Sequence, residues 1–543
     1  MIEVKFKKPY YRWLFGGVGF HNSEASMTKL MTESFKNEKV LKVYRELSPT
    51  FSRIFAGFHN WTKEAMDEFA DYYHETFEKS NCSLYLVPGR MPLHETKEER
   101  EVYVENVAKN LAYLVHEKGL KLIRYYCVTN ELSVGNTYAY LSNHLDLLKE
   151  YHTMLWRAFK KYDITDIGLM ATDVSGVQNF GQIDWAIDNM DEVTAMYCGH
   201  NYEVLGYKYD DEKFYNKLYD VYDEVVQKAK EKEKRFILGE FGIHDGDQFE
   251  EKRMRNDVFT GLGDKKREAE YALMACVEIL ACMNAGGYGA VYWTMCDYPD
   301  PFINDWGTTE EDKIRYEVAK FSGHGTSIRY NKNGMFTWEE EGKVAESRPF
   351  LYTVGLLSKF FRKGSRVLDF DCEDKKLICT GVTNSDLSTS LCIINLSNQE
   401  KELSVSNEHK IDKPYRLYRY ECDNVPYNKF LDLQGFEKVD MLEGDICNIK
   451  VGPHSLTVLT TDYIDRKPMS VTNIRVKDNR LMWDKSNDEF LCYYRVFAAN
   501  DKNFEPTTEN QIASTVAEFI ELKPEDQNKF YKVLTVDKFG NVN

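Results

Sequence analysis

Short apolar runs alternate with helix-length stretches of 3.6-residue periodicity through most of this chain. The runs are Leu14–Phe20, Phe51–Gly57, Ser83–Arg90, Leu122–Glu131, Ile167–Ser175, Val193–Tyr202, Arg235–Gly242 and Gly289–Asp297, each followed by a helical pattern, the last near Pro349–Phe361. Continuous apolar strands separated by helices imply parallel pairing with crossover helices. An open sheet would need an edge or a switch point that this regular spacing does not suggest. The pattern therefore predicts α/β architecture, a closed (β/α)8 TIM barrel over residues 1–361.

Beyond residue 362 the texture changes to short alternating strands such as Leu377–Val382 and Thr389–Leu396, ending at Ser455–Leu459. This predicts an antiparallel β-sandwich over 362–465. A third unit, 466–543, places Leu481-Met482-Trp483-Asp484, Tyr493-Tyr494-Arg495-Val496-Phe497 and Tyr531–Asp537 at β-sandwich spacing. With Leu522-Lys523-Pro524 and the closing Asp537-Lys538-Phe539-Gly540-Asn541, these residues resemble a fibronectin type III domain.

Composition narrows the partners. A net charge of −17 argues against nucleic acid and against an anionic membrane surface, since either calls for clustered Lys and Arg. Aromatics make up 14% of the chain, which suits sugar-stacking surfaces as well as Tyr-rich cores. The N-terminus lacks the apolar core of a secretory signal and no stretch has the length of a membrane span, so a cytoplasmic location is expected. Twelve dispersed cysteines form no CxxC pair and no zinc spacing, and read as reduced core residues.

The candidate chemistry lies at strand ends. Glu131 closes Tyr125-Tyr126-Cys127-Val128-Thr129-Asn130-Glu131 at the fourth run, and Glu240 closes Phe236-Ile237-Leu238-Gly239-Glu240 at the seventh. In a parallel barrel both fall on the C-terminal rim, where such folds keep their chemistry. Two carboxylates facing one cleft, about 5–5.5 Å apart, are the equipment of a retaining glycosidase. Asn-Glu occurs three times, at Asn37-Glu38, Asn130-Glu131 and Asn407-Glu408, and only the middle one ends a barrel strand.

Supporting groups recur around them. Arg53 puts a permanent cation inside the apolar Phe51–Phe55 run, which calls for a carboxylate partner, and Glu240 is the candidate. Tyr202, ending the sixth run after His200, is positioned to donate to Glu240. Asn130 is a candidate for a sugar hydroxyl, and Trp293 for a stacking floor. His21, Asn22 and Glu24 after the first run, and His59, Asn60 and Trp61 after the second, are candidate hydroxyl-binding groups. Tyr298–Arg348, carrying Trp306, Tyr330, Phe336 and Trp338, is a candidate pocket wall.

Asn130-Glu131, His200-Asn201-Tyr202, Gly239-Glu240-Phe241-Gly242, Trp293 and Arg53 together resemble glycoside hydrolase clan A. The order of barrel, sandwich and fibronectin-like module is similar to the family 39 group of β-xylosidases and α-L-iduronidases. The resemblance implies retention of configuration, with Glu131 as acid/base and Glu240 as nucleophile, a mechanism that requires no metal or organic cofactor. A cytoplasmic location makes the expected substrates short imported oligosaccharides or glycosides, which favours an exo-acting enzyme. Thr129 and Leu132 depart from the family pattern, which commonly has an aromatic before Asn-Glu and a proline after it. Two alternatives remain: a metal-dependent barrel hydrolase using His21, His59, His94, His200 and His244, and a carbohydrate-binding protein without turnover. The first usually begins with His-x-His, whereas only Phe20-His21-Asn22 stands here.

Overall fold

The computed structural model describes residues 1–8, 14–22, 38–88, 91, 93–133, 136–205, 212–245, 265–295, 334–336, 346–408, 413–442 and 446–543. The chain begins with strand β1, Ile2–Phe6, and then enters eight strands: β2 Gly17–His21, β3 Phe51–Phe55, β4 Ser83–Val87, β5 Ile123–Cys127, β6 Gly168–Ser175, β7 Met196–Leu205, β8 Phe236–Asp245 and β9 Gly289–Tyr292. They form a closed barrel in chain order, every neighbour parallel, sealed by Gly17–Phe20 against Gly289–Tyr292. Each of the eight apolar runs supplies one stave.

The two-residue period of a strand sorts side chains between the barrel's inside and its helical jacket. Phe51, Tyr85, Cys127, Met170, Met196, Cys198, Ile237 and Val291 share an interior cluster. Their chain neighbours Ile54, Leu84, Leu86, Tyr126, Leu169, Tyr197 and Leu238 join the larger core under the helices. Helix starts are specified locally: Thr96 and Glu99 form a reciprocal capping box on the helix Lys97–Ala112, and Thr62 caps Lys63–Tyr73.

Two antiparallel units follow. The next strands are β10 Arg366–Val367, β11 Phe370–Cys372, β12 Leu377–Thr383, β13 Thr389–Asn395, β14 Lys401–Asn407, β15 Tyr415–Glu421, β16 Glu437–Val439, β17 Ile446–Val451 and β18 Ser455–Thr460. They make sheets of order β10-β12-β13-β18-β15-β16 and β11-β1-β14-β17. The first strand thus departs from the expectation that residue 1 opens the barrel: β1 pairs with β14 and β11, and Val4 and Phe6 are buried in the sandwich core. The last unit holds β19 Thr472–Lys477, β20 Arg480–Asp484, β21 Leu491–Ala499, β22 Gln511–Thr515, β23 Phe519–Glu521 and β24 Phe530–Asp537 in two three-stranded sheets, with Trp483 buried edge-on to Tyr494.

The three units meet at the helix Glu38–Leu47. Lys42, fully buried, bonds Glu46 Oε2, Asp432 Oδ1 and the Leu431 carbonyl, each at 2.9 Å. Asp432 Oδ2 in turn forms an ion pair with Arg495 at 3.1 Å and accepts from Gln511 and Ser514 at 3.0 Å. The described cysteines are free, and all but Cys372 are buried. Among the described residues no helix is long and apolar enough to cross a membrane.

Candidate active site

Arg53 organises the C-terminal mouth of the barrel. It lies fully buried on β3, and burying a guanidinium requires that its donors be taken up by charged or polar partners. Nη1 bonds Glu240 Oε2 at 2.5 Å and approaches His21 Nδ1 at 3.1 Å, while Nη2 bonds Asn130 Oδ1 at 2.6 Å and Asp173 Oδ2 at 2.9 Å. One side chain thereby ties together the first, second, fourth, fifth and seventh staves.

The two glutamates converge on this cation. Glu131 follows β5 with a φ of 53°, and its side chain is 22% exposed, whereas that of Glu240 on β8 is 6% exposed. His200 stands between them, its Nδ1 3.6 Å from Glu131 Oε1 and 3.8 Å from Glu240 Oε2. One oxygen of each glutamate and the imidazole nitrogen all lie within 4.8 Å of one another. Tyr202 donates its phenol hydrogen to Glu240 Oε1, and Ser175 bonds Glu131.

Bulges aim these side chains. Between β7 and β8 the register steps from Gly199↔Leu238 to His200↔Glu240, so Gly239 is an extra residue. Leu238 faces the helices, and strict alternation would send Glu240 the same way; the bulge turns it inward. Gly239 has no room for a side chain, since a Cβ there would lie 2.2 Å from Cys198 Sγ. Asp173 sits in the matching irregularity between β6 and β7, with φ of 58°.

Asp173 is the functional-looking residue that sequence reasoning missed. It is fully buried; Oδ1 accepts from Tyr85, from His200 Nε2 at 2.8 Å and from Cys198 at 3.0 Å. The one available signal was an acidic residue inside an otherwise apolar run, the same argument that singles out Arg53. Of the remaining candidates, His21 and Trp293 lie tilted against each other in the barrel mouth with ring centroids 4.3 Å apart. His59 and Asn60 are not brought to the carboxylates: His59 stacks on Tyr103 at 5.1 Å, and Asn60 is exposed. Asn22 is fully buried and donates from Nδ2 to Tyr44 and Tyr72. Glu24, Trp306, Tyr330, Trp338 and the His244 side chain lie outside the described residues; Phe336 is buried.

Electrostatics follow from this packing. Burial works against the His200 imidazolium, but Asp173, Glu240 and Glu131 override it and push His200 up to about 9. Burial would raise Asp173, but the His200 and Arg53 charges, with hydrogen bonds from His200 and Tyr85, win and hold it well below the carboxylate range. Burial, followed by the Arg53 and His200 charges, pushes His21 well down, leaving it neutral. Burial raises Glu240 despite Arg53, His200 and Tyr202, with Glu131 adding to the rise. Burial alone would raise Glu131 too, yet His200, Ser175 and Arg53 take it below its ordinary value. An ordinary acid/base assignment expects the raised carboxyl to be Glu131; here the order is reversed, because His200 and Ser175 outweigh burial at Glu131, whereas burial outweighs Arg53 and His200 at Glu240.

No protein-family model matches the chain, and no curated protein matches it in sequence. Solved structures do. The bacterial orthologue of human α-L-iduronidase superposes with a TM-score of 0.58 at 12% identity, over 100% of this chain and 98% of that one. A glycoside hydrolase family 30 subfamily 8 xylanase from Clostridium acetobutylicum gives 0.56 at 12% identity, over 84% and 99%. A family 51 arabinofuranosidase from Xanthomonas axonopodis pv. citri gives 0.53 at 13% identity, over 85% and 100%. At these identities the likeness establishes a shared fold, a barrel with appended β-sandwich, in a group of structures that includes several glycoside hydrolases.

Proposed function

We propose that this protein is a retaining glycoside hydrolase that removes terminal sugars from short oligosaccharides or glycosides. The observation that carries the reading is the pair of strand-end glutamates with oxygens within 4.8 Å of each other around His200. A separation of about 5–5.5 Å suits a covalent intermediate, whereas inversion needs about 6.5–9.5 Å to admit a water. The fold shared with several glycoside hydrolases agrees with this reading. The finer placement beside family 39, with domain divisions near residues 361 and 465 and a fibronectin-like third unit, rests on the sequence resemblance.

In this mechanism Glu240, oriented by Arg53 and Tyr202, attacks the anomeric carbon while Glu131 protonates the departing oxygen. Water, deprotonated by Glu131, then cleaves the glycosyl-Glu240 ester and restores both carboxyls. The two glutamates share neighbours and titrate as a pair. A bound sugar covers Glu131, whose remaining exposure is the larger, and this desolvation raises its proton affinity. Glu240 is already buried and keeps its two direct donors. Substrate binding thus moves the shared proton to Glu131, where the reaction needs it. His21 accepts from Arg53 at Nδ1, which leaves an Nε2–H with no partner among the described residues for a sugar hydroxyl.

The test is a panel of nitrophenyl glycosides on wild type, Glu240→Ala and Glu131→Ala. Glu240→Ala should abolish turnover. Glu131→Ala should retain slow cleavage of activated leaving groups and gain rate with azide. Full activity in either variant overturns the roles. Glu131, His200 and Glu240 also form a donor set that fits a metal ion. The Arg53 cation 2.5 Å from Glu240 opposes one there. Turnover unchanged by a chelator is the expected result; loss restored by a divalent metal would favour a metal-dependent hydrolase.

A further inference from the structure

Four side chains from three staves converge on Asp173: Arg53 of β3, Tyr85 of β4, and Cys198 and His200 of β7 all bond a fully buried carboxylate that itself belongs to β6, so four strands of the barrel meet there. Too deep to touch a sugar, it still holds the two cations that do face the glutamates. Its bond to Nε2 fixes the far nitrogen of His200. The near nitrogen, Nδ1, is buried, has no hydrogen-bond partner among the described residues, and points at the gap between Glu131 and Glu240. An orphaned buried nitrogen is costly unless a ligand or a shared charge uses it.

We propose that Asp173 is a positioning residue which fixes His200 as an imidazolium with its Nδ1–H aimed between Glu131 and Glu240, and so sets the pH range over which that pair holds one proton. The groups facing His200 are His21 on β2, Arg53 on β3, Tyr85 on β4, Glu131 after β5, Asp173 on β6, Cys198 and Tyr202 on β7, and Glu240 on β8. His21 and Arg53 oppose a charge on His200; the carboxylates favour it, and Asp173 makes the shortest contact, 2.8 Å against 3.6 Å for Glu131 and 3.8 Å for Glu240. Without that bond the imidazole loses its proton, the glutamates lose a cation 3.6 and 3.8 Å away, and both become harder to ionise.

The consequence for turnover rests on the glycosidase reading; the charge of His200 does not. Histidine-labelled protein, with His200 assigned through His200→Gln, is therefore titrated by NMR alongside pH profiles of kcat/KM on a cleaved nitrophenyl glycoside. Wild-type His200 should titrate near pH 9. In Asp173→Asn its proton affinity should fall more than tenfold, and both limbs of the kcat/KM profile should move to higher pH. A purely structural residue would lower the rate without moving either limb. Wild-type His200 titrating at or below the ordinary imidazole value overturns the proposal even if the variant fails to fold, as does an Asp173→Asn protein with unmoved His200 midpoint and limbs. Should no glycoside be cleaved, the titration still decides this inference while the glycosidase reading fails alone.

Discussion

Arg53 and His200 carry opposite kinds of test. Arg53→Met strands Glu240 and Asp173 without their guanidinium, and breaking a buried pair in this way costs about 3–5 kcal/mol. Calorimetry should register that loss together with near-complete loss of turnover. Arg53→Lys keeps a charge but lacks the fork that serves Glu240, Asn130 and Asp173 at once. It should fold and lose about 10²-fold in kcat through misplacement of the nucleophile. His200 gives the pH signature. Its proton affinity is raised on folding, to about 9, so its contribution is full below pH ~6.5 and disappears as pH rises toward 9, on the order of 3 kcal/mol in all. Asp173 runs the other way: its pKa is depressed, so its contribution is full above pH ~4 and is lost on acidification. Thermal melts across pH should therefore show a plateau between these values, and His200→Gln should flatten the alkaline slope.

Strand bulges decide which side chains enter the cleft, and here the limits of sequence reading become visible. The eight staves were legible because runs such as Phe51–Phe55 and Ser83–Val87 are mostly apolar and buried on both faces, as a barrel with a helical jacket demands. Glu131 was legible because it ends a run. Strict alternation from Leu238 would instead turn Glu240 outward, and the extra Gly239 that redirects it leaves no trace in hydrophobic periodicity. Asp173 was hidden for the same reason. Asn22 and His59 illustrate the converse, polar residues near strand ends whose partners are buried tyrosines. The bulge is open to test through Gly239→Ala, whose Cβ would meet Cys198 Sγ at 2.2 Å. Overpacking of this kind costs about 1–3 kcal/mol. The displaced Glu240 should cost more in kcat than in KM, measured on any glycoside the wild type cleaves.

Across the molecule, the helix Glu38–Leu47 couples the barrel to both β units through one buried charge cluster. Lys42, Glu46, Asp432 and Arg495 come from all three, and Tyr493 adds a cation–π contact to Lys42 at 4.2 Å and a hydrogen bond to Glu46 at 3.2 Å. Asp432→Asn leaves Lys42 and Arg495 short of a buried counter-charge. It should lower stability by about 3–5 kcal/mol and shift the calorimetric transition of all three units together; a change confined to a separate transition would show that the cluster does not couple them. The central claim, that two glutamates of one barrel mouth act in a double displacement, is tested most directly by following the first-formed sugar from a cleaved glycoside by proton NMR. Release of the anomer that matches the substrate is the expected result. Release of the opposite anomer would contradict the account.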